Sequence, residues 1–386
     1  MSFTVLAVVC LVGLLGPLLA LPRRWHLPIV LGELLAGVAL GRTGIGYLDA
    51  GDETFTFLAD IGFALVMFVA GTHVPVRDDR LRPALRVGVV RAVAVGAVAV
   101  GLGYAVAAIV GTDHAPLYAV LMASSSAAVI LPVKDSVGLG GPAVLELLPQ
   151  VAVADAACIV LLPLAIDPAH ALRAAAGALV VIVCGYVAYL AFAWVERSGW
   201  RLRAHDVSEE RSFALELRVS LTVLFALAAL ATALHVSIML AGFALGLAVS
   251  AVGEPRRVAK QLFAVTEGFF GALFFVWLGA SLQVRDLGSH PEMIGLGFFL
   301  GLGAVVAHLV ARLLGQPVPL AMLAAAQLGV PVAATTIGTQ LGLLDAGEAS
   351  ALVLGALMTL AVAIAGGSLA VRAGLVEEPG RDALAG

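Results

Sequence analysis

The stretch Pro142–Ile166 reads PAVLELLPQVAVADAACIVLLPLAI, 25 residues in which only Glu146 and Asp155 carry a charge. A helix needs about 20 apolar residues to cross the hydrocarbon core of a bilayer, so this segment is predicted to be a transmembrane helix. A carboxylate at bilayer depth costs on the order of 3 kcal/mol, and burial favours its neutral form. Asp155 can therefore hold either a proton or a cation. The alternative is a protonated Asp155 that only packs against a neighbouring hydroxyl.

The composition of the whole chain also indicates a membrane protein. Of its 386 residues 61% are apolar and 12% are charged, whereas soluble domains carry about 25% charged residues. The net charge of −4 excludes a strongly basic protein, so no nucleic-acid partner is expected. The three cysteines lie inside apolar runs, which excludes a disulfide framework or a zinc knuckle, and no cofactor is expected. The predicted fold class is an all-α integral membrane protein.

Thirteen segments of the chain are apolar enough to be candidate transmembrane helices. Their boundaries are approximate, because several of them are separated by only a few residues. They are Phe3–Leu21, Pro28–Leu48, Phe57–Thr72, Val87–Val110, Pro116–Val133, Pro142–Ile166, Leu172–Trp194, Arg218–Leu234, Val236–Val252, Phe263–Leu282, Met293–Leu314, Leu320–Leu341 and Gly347–Val371.

The basic residues between these spans predict the orientation of the chain. The odd-numbered loops hold 16 lysines and arginines, whereas the even-numbered loops hold three. Cytoplasmic loops carry the excess of basic residues, so we expect a multi-pass protein of the cell membrane with its N-terminus outside and its C-terminus in the cytoplasm. The 16 are Arg23, Arg24, Arg77, Arg80, Arg82, Arg86, Lys134, Arg197, Arg201, Arg203, Arg211, Arg218, Arg256, Arg257, Lys260 and Arg312; the three are Arg42, Arg173 and Arg285.

Two of the spans are predicted to be broken helices. The fifth contains Ser124, Ser125 and Ser126 in its middle, and the twelfth contains Gly329, Pro331 and the pair Thr335 and Thr336. Proline removes a backbone donor, and serine offers the backbone other hydrogen bonds. Broken helices persist in a bilayer only where protein or a cavity satisfies the freed groups. The two spans are an odd number apart, which predicts an inverted repeat with a binding site at the breaks.

Among the other ionisable residues within predicted spans, three are further candidates for the site. Glu33 and Asp60 are predicted to pair helices or to reach the membrane surface, although an ion-binding role stays open. His308 is an imidazole inside an apolar run, where it either packs or compensates charge beside the broken helices. Histidine titrates near neutral pH, so the second role would make activity depend on pH.

Glycine and aromatic patterns along the chain resemble a known family of transporters. The chain is similar to the monovalent cation:proton antiporter-2 family, which includes sodium/proton and potassium/proton antiporters, from about residue 28 to residue 371. The patterns are Pro28 with Gly32, Glu33, Gly37 and Gly41; Asp60-Ile61-Gly62 with Phe68-Val69-Ala70-Gly71; Ser124–Ser126; Asp155; Val236-Ser237 with Ala241–Gly246; and Phe274–Gly279.

The resemblance implies a fold, a mechanism and a set of site residues. It implies a single transmembrane exchanger domain over residues 1–386 with thirteen helices, a mobile core and a dimerisation scaffold. The core would comprise about 87–166 and 292–371, and the scaffold about 3–72 and 172–282. It further implies elevator-type alternating access, a homodimer, and no metal beyond the transported cation. Asp155 falls on the family's ion-binding aspartate, and Ser124–Ser126 on the break beside it.

Two departures from the family pattern bear on the ion. The residue before the family aspartate is commonly Asp, Asn or Gln, but here it is Ala154. A single carboxylate suggests one-for-one, electroneutral exchange. The family also often carries Lys or Arg where this chain offers only His308.

The leading hypothesis is a secondary transporter, not an enzyme, that exchanges Na⁺ or K⁺ for protons. The alternatives are a proton-uncoupled cation channel or efflux pore, and a divergent transporter of another solute. An intramembrane aspartyl protease would need two facing aspartates, and Asp155 has no equally buried partner in the sequence.

Overall fold

The computed structural model describes residues 1–21, 29–72, 81–198, 215–234, 236–253, 262–282 and 285–376 of the chain, and these residues are almost all helical. Across these residues the one β-type contact is an isolated antiparallel bridge between Leu139 and Val376. Helices satisfy their own backbone hydrogen bonds, which a bilayer requires. The prediction of an all-α membrane protein is confirmed.

Sixteen helices are used in the description below, numbered in chain order. Short helical turns at Pro168–His170, Asp286–Ser289 and Val310–Leu314 connect some of them, and a π-helical turn, Thr266–Phe270, lies within α12. The helices are α1 Phe3–Gly13, α2 Leu15–Ala20, α3 Ile29–Leu40, α4 Glu53–Thr72, α5 Leu81–Val110, α6 Ala115–Ala123, α7 Ala127–Ser136, α8 Pro142–Ile166, α9 Ala171–Arg197, α10 Leu215–Ala233, α11 Ile238–Val252, α12 Leu262–Ser281, α13 Pro291–Leu309, α14 Val318–Ala324, α15 Gly329–Leu341 and α16 Glu348–Arg372.

The helices of the described residues account for the thirteen predicted spans. Nine helical stretches, one of which comprises α14 and α15 together, are long and apolar enough to cross a membrane, and Phe3–Leu19 and Ile238–Val252 are shorter apolar helices. The other two predicted spans are α3, with 12 residues, and the pair α6 and α7, with 9 and 10 residues. Helix α8 has the bounds that the sequence predicts, whereas α3 ends at Leu40 because the following glycine-rich residues turn the chain, with Gly46 at φ 71°.

Many residues that predict the orientation are outside the described part of the chain, as is Pro28, the predicted start of the second span. The orientation of the termini therefore stays a prediction. The basic residues concerned are Arg23, Arg24, Arg77, Arg80, Arg201, Arg203, Arg211, Arg256, Arg257 and Lys260.

The chain divides into two compact units. The first comprises Met1–Leu18, Ile29–Asp78 and Asp167–Leu282, and it contains α1, α3, α4 and α9 to α12. The second comprises Leu19–Pro28, Asp79–Ile166 and Gln283–Gly386, and it contains α5 to α8 and α13 to α16. The roles of core and scaffold that the resemblance implies stay predictions.

Glycines bring helices of the first unit into close contact. A Cβ atom added at Gly37 of α3 would collide with the carbonyl oxygen of Val276 in α12. A Cβ atom at Gly246 of α11 would likewise collide with the carbonyl oxygen of Phe68 in α4. Small residues allow such close approach of helix backbones within a membrane, so the glycine patterns of the sequence have a packing role.

The second unit contains both interrupted spans. Helix α5 packs against α6 and α8, and α16 packs against α13 and α14. Helix α6 also contacts α8 and α13. This packing brings segments from the two halves of the sequence together around the breaks.

Candidate functional site

The first break separates α6 from α7 at Ser124–Ser126. Ser124 has an extended backbone (φ −72°, ψ 148°), and its backbone N–H and hydroxyl donate to the carbonyl oxygen of Leu121 at 3.0 and 2.8 Å. Ser126 accepts through its carbonyl oxygen from the N–H groups of Val129 and Ile130, at 3.1 and 3.0 Å. All three serines are buried. The helix is therefore interrupted at the serines, as the sequence predicts.

The second break lies at residues 325–328, between α14 and α15. The sequence placed it at Gly329 and Pro331, which instead form the first turn of α15, with Thr335 and Thr336 further along that helix. N–H groups in the first turn of a helix have no partner within it, so proline costs no hydrogen bond there. The prediction of a broken helix is correct, but its position is wrong by about one turn.

Gln327 connects the two breaks and was missed by the sequence analysis. Its side-chain Nε2 donates to the carbonyl oxygen of Leu121 at 2.6 Å, and its backbone N–H donates to the hydroxyl of Thr359 at 3.1 Å. Leu121 thus accepts hydrogen bonds from both breaks, which satisfies backbone groups that the interruptions leave free. The available signal was a single amide within the apolar run from residue 317 to 334.

Asp155 lies beside the first residue of α7. Its side chain is 2% exposed, and the backbone N–H of Ala127 donates to its Oδ2 at 3.2 Å. The N-terminus of a helix carries a partial positive charge that favours a carboxylate. In the described part of the chain no other hydrogen bond to this carboxylate is found, although a carboxylate has about four acceptor sites. The remaining acceptor sites are therefore available to a proton or a cation.

The neighbouring residue Ala154 is buried and contributes no side-chain oxygen. A cation at Asp155 would therefore receive no ligand from the side chain next to Asp155 in the sequence. Asp155 is thus the one carboxylate that this pair of residues offers.

His308 joins the second unit's broken helices through Ser125. The hydroxyl of Ser125 donates to the carbonyl oxygen of Ala324, the last residue of α14, at 2.6 Å, and it lies 3.2 Å from His308 Nε2. The other ring nitrogen, Nδ1, lies 2.9 Å from the carbonyl oxygen of Ala304. Since a carbonyl oxygen only accepts, Nδ1 carries a proton.

This arrangement couples the protonation of His308 to the hydroxyl of Ser125. A neutral ring accepts at Nε2 and competes with Ala324 for the single hydroxyl proton of Ser125. A doubly protonated ring instead donates to Ser125 and leaves that proton to Ala324, at the negative end of a helix. A structural and a charge-compensating role for His308 both fit this geometry, and charge compensation stays a prediction.

The other sequence candidates belong to the first unit. Glu33 is buried within α3, and Asp60 is half-buried within α4. Asp155, the three serines and His308 all belong to the second unit. Ion-binding roles for Glu33 and Asp60 stay predictions.

A further polar cluster surrounds the start of α8. Arg91 is 3% exposed, and its Nη2 lies 2.8 Å from a carboxylate oxygen of Glu146, which is 34% exposed. The same nitrogen donates to the carbonyl oxygen of Leu314 at 3.2 Å, and Gln316 donates to the side-chain oxygen of Gln150 at 2.8 Å. These contacts tie α5 and α8 to the residues that precede α14.

Comparison with known proteins gives matches over nearly the whole chain. The family model described as "Sodium/hydrogen exchanger, transmembrane" matches residues 7–382. A Bacillus subtilis protein provisionally named Na⁺/H⁺ antiporter YjbQ is 22% identical over 376 residues, which cover 92% of this chain and 60% of YjbQ. The Na⁺/H⁺-K⁺ antiporter GerN of Bacillus cereus is 23% identical over 304 residues, covering 70% of this chain and 73% of GerN. The chain thus spans only 60% of the length of YjbQ.

Solved structures show a similar fold. A structure at pH 8 of the sodium proton antiporter MjNhaP1 from Methanocaldococcus jannaschii has a TM-score of 0.65 and 14% identity, and the match covers 97% of this chain and 99% of that one. An electron-microscopy map of the same antiporter gives a TM-score of 0.69 and 15% identity, with 97% of each chain covered. At such low identity the comparison concerns the arrangement of the helices alone.

Proposed function

The chain belongs to the sodium/hydrogen exchanger family, as the sequence resemblance predicted, and we propose that it exchanges a monovalent cation, Na⁺ or K⁺, for protons across the membrane. The observation that carries the proposal is the Asp155 carboxylate, buried beside the N-terminus of α7 with one backbone donor. The oxygen atoms of this carboxylate can bind either a proton or a monovalent cation.

Exchange follows from competition at this one carboxylate. A bound cation makes protonation of Asp155 unfavourable, and a bound proton removes the charge that attracts the cation. The carboxylate therefore carries one or the other, and each transit in one direction is matched by a transit in the other. With Ala154 beside it, the site exchanges one cation for one proton, so that turnover moves no net charge.

Transport also requires that the site open to each side of the membrane in turn. We propose that the second unit, as the core of about 87–166 and 292–371, carries the ion in an elevator-type movement. The first unit, with the scaffold of about 3–72 and 172–282, would anchor the protein as a homodimer. In support, Asp155, both helix breaks and His308 belong to one compact unit, so they can move together without rearrangement of the site.

The liposome assay tests exchange directly. Purified protein is reconstituted with a pH-sensitive dye inside the vesicles, and Na⁺, K⁺ or Li⁺ is added outside. Adding a coupled cation outside sets up an inward cation gradient, and we expect the pH inside the vesicles to rise as protons leave. An imposed voltage should not change the rate of this rise. A voltage-driven cation flux without proton movement would instead identify a channel or efflux pore.

Asp155→Asn tests the site. Asparagine keeps an oxygen that accepts from the N–H of Ala127 but lacks the charge, so we expect a folded protein with no dye response. Cys158→Ala is the matched control, since Cys158 is buried one turn further along α8. Its response should stay close to that of the unaltered chain. A full response from Asp155→Asn would overturn the assignment of the ion site.

A further inference from the structure

A second cluster of polar side chains lies at the other end of α6 from the serine break. His114 precedes the first residue of α6, and Asp345 and Glu348 flank the start of α16. Helix α6 has 9 residues, so it places about 14 Å between its two ends. The cluster is therefore separate from the Asp155 site, although both belong to the second unit.

Glu348 is the centre of this cluster. It is fully buried, and its Oε1 accepts from the hydroxyl of Tyr118 at 2.7 Å and lies 2.8 Å from Nδ1 of His114. Its Oε2 accepts from the backbone N–H of Asp345 at 2.8 Å. The hydroxyl of Thr112 in turn donates to that of Tyr118 at 3.0 Å. Glu348 is thus held in one orientation by partners on three sides.

The three ionisable side chains lie close to the spacing of metal ligands. His114, Asp345 and Glu348 each offer one ligand atom, and these atoms all lie within 4.8 Å of one another. Zinc binds imidazole nitrogen and carboxylate oxygen at about 2.0–2.2 Å in tetrahedral geometry, so two ligand atoms of one ion lie about 3.4 Å apart. Asp345 is exposed and His114 is partly exposed, so small side-chain rotations can close the remaining gap.

Capping of α16 explains only part of this arrangement. The bond from the N–H of Asp345 to Oε2 of Glu348 is typical of a helix start. It does not account for the imidazole and the tyrosine hydroxyl that meet at Oε1 of Glu348. It also does not account for the side chain of Asp345, which lies within 4.8 Å of the ligand atoms of His114 and Glu348. Ligands of a metal ion, in contrast, are commonly oriented by outer hydrogen bonds of the kind that Tyr118 and Thr112 supply.

We propose that His114, Asp345 and Glu348 bind one divalent transition-metal ion of the Zn²⁺ class, at a site separate from the exchange site. One imidazole and two carboxylates match the ligand preference of such ions, and water completes the coordination. The ion replaces the contact between His114 and Glu348, while Tyr118 stays bonded to Glu348. It cross-links the start of α6 to the start of α16, two segments that are 234 residues apart at His114 and Glu348.

Metal binding to purified, chelator-treated full-length protein tests the proposal. Titration with Zn²⁺, followed by calorimetry and by the midpoint temperature of unfolding, should give one saturable site per chain and a midpoint that rises with Zn²⁺ concentration. The same concentrations of Mg²⁺ should have no such effect. Absence of a saturable Zn²⁺ site would overturn the proposal.

Variants locate the ion. His114→Gln and Asp345→Asn should each weaken Zn²⁺ binding at least tenfold, and neither removes a fully buried side chain, so both are expected to fold. His170→Gln is the matched control, since His170 lies 2.8 Å from Asp167 in an exposed pair, and among the described residues no third His, Cys, Asp or Glu joins that pair. Unchanged Zn²⁺ affinity in both test variants, or an equal loss in the control, would refute the site. Asp155→Asn should keep Zn²⁺ binding. The metal-site proposal and the exchange proposal can therefore fail independently of each other.

Discussion

Replacing Ser125 with alanine should destabilise the protein far more than the same replacement at Ser124. Ser125→Ala removes the hydroxyl that donates to the carbonyl oxygen of Ala324 at 2.6 Å and that lies 3.2 Å from Nε2 of His308. In the described part of the chain no other hydrogen bond to the carbonyl of Ala324 is found. The carbonyl oxygen of Ala324 is therefore left buried without a donor, and Nε2 of His308 loses the neighbouring hydroxyl.

The expected size of the effect follows from these partners. A buried polar atom that loses its partner costs about 1–3 kcal/mol, and the carbonyl of Ala324 has no other donor in the described residues, so Ser125→Ala should lower the free energy of unfolding by about 2–3 kcal/mol. The hydroxyl of Ser124 donates to the carbonyl oxygen of Leu121. That oxygen also accepts from the backbone N–H of Ser124 and from the side chain of Gln327. Ser124→Ala should therefore cost about 1 kcal/mol or less.

Reversible unfolding in mixed micelles, titrated with a denaturing detergent, measures the difference. Both variants lose one buried hydroxyl of the same size, so burial and side-chain volume are matched. The pair should differ by at least about 1 kcal/mol in the free energy of unfolding, which is the smallest gap between the two ranges. Equal losses in the two variants would refute the assignment of Ser125 as the residue that joins the two broken helices.

Three further predictions concern other parts of the molecule. His308→Ala should shift the pH of fastest exchange in the liposome assay more than it lowers the maximum rate; an unmoved optimum would leave His308 with a packing role. Gly37→Ala should lower the midpoint temperature of unfolding, because a methyl group there collides with the backbone of α12 at a cost of about 1–3 kcal/mol. Gly96→Ala, with open space around it, should not lower the midpoint, and equal shifts would contradict this packing. Glu146→Gln should lower the free energy of unfolding in the detergent titration by about 2–3 kcal/mol. Breaking a fully buried ion pair costs about 3–5 kcal/mol, and the cost is smaller here because Glu146 is partly exposed. Adding Arg91→Met should restore most of that loss, and a double variant no more stable than the single one would argue against the pair.

The sequence was sufficient to predict most of the membrane architecture, because the signals involved are local. The bounds of Pro142–Ile166 follow from an apolar run that ends in turn residues, and the structure reproduces them. The break at Ser124–Ser126 follows from three consecutive hydroxyls in an apolar span. The second break was placed about one turn too late, because Pro331 was taken to interrupt a helix, whereas it lies in the first turn of α15.

The candidate site was predictable only in part. Asp155 is conspicuous as a charge within an apolar helix, and Ala154 beside it can be read directly from the sequence. Gln327 was missed, since one amide in an apolar run does not show which carbonyl it will meet. The sequence also gave no sign that His308 would meet Ser125, because the two residues lie 183 positions apart.

The amino-acid sequence by itself determined that this chain is helical and membrane-embedded, where most of its helices run, and that Asp155 lies inside one of them. Only the tertiary structure decided which polar groups meet one another. It placed the N–H of Ala127 on Asp155, Ser125 between His308 and Ala324, and His114 beside Glu348. The physical reason is that hydropathy and helix-breaking residues act over one or two turns of chain. Hydrogen bonds and metal ligands, in contrast, act between atoms about 3 Å apart, which distant segments reach only once the helices have packed.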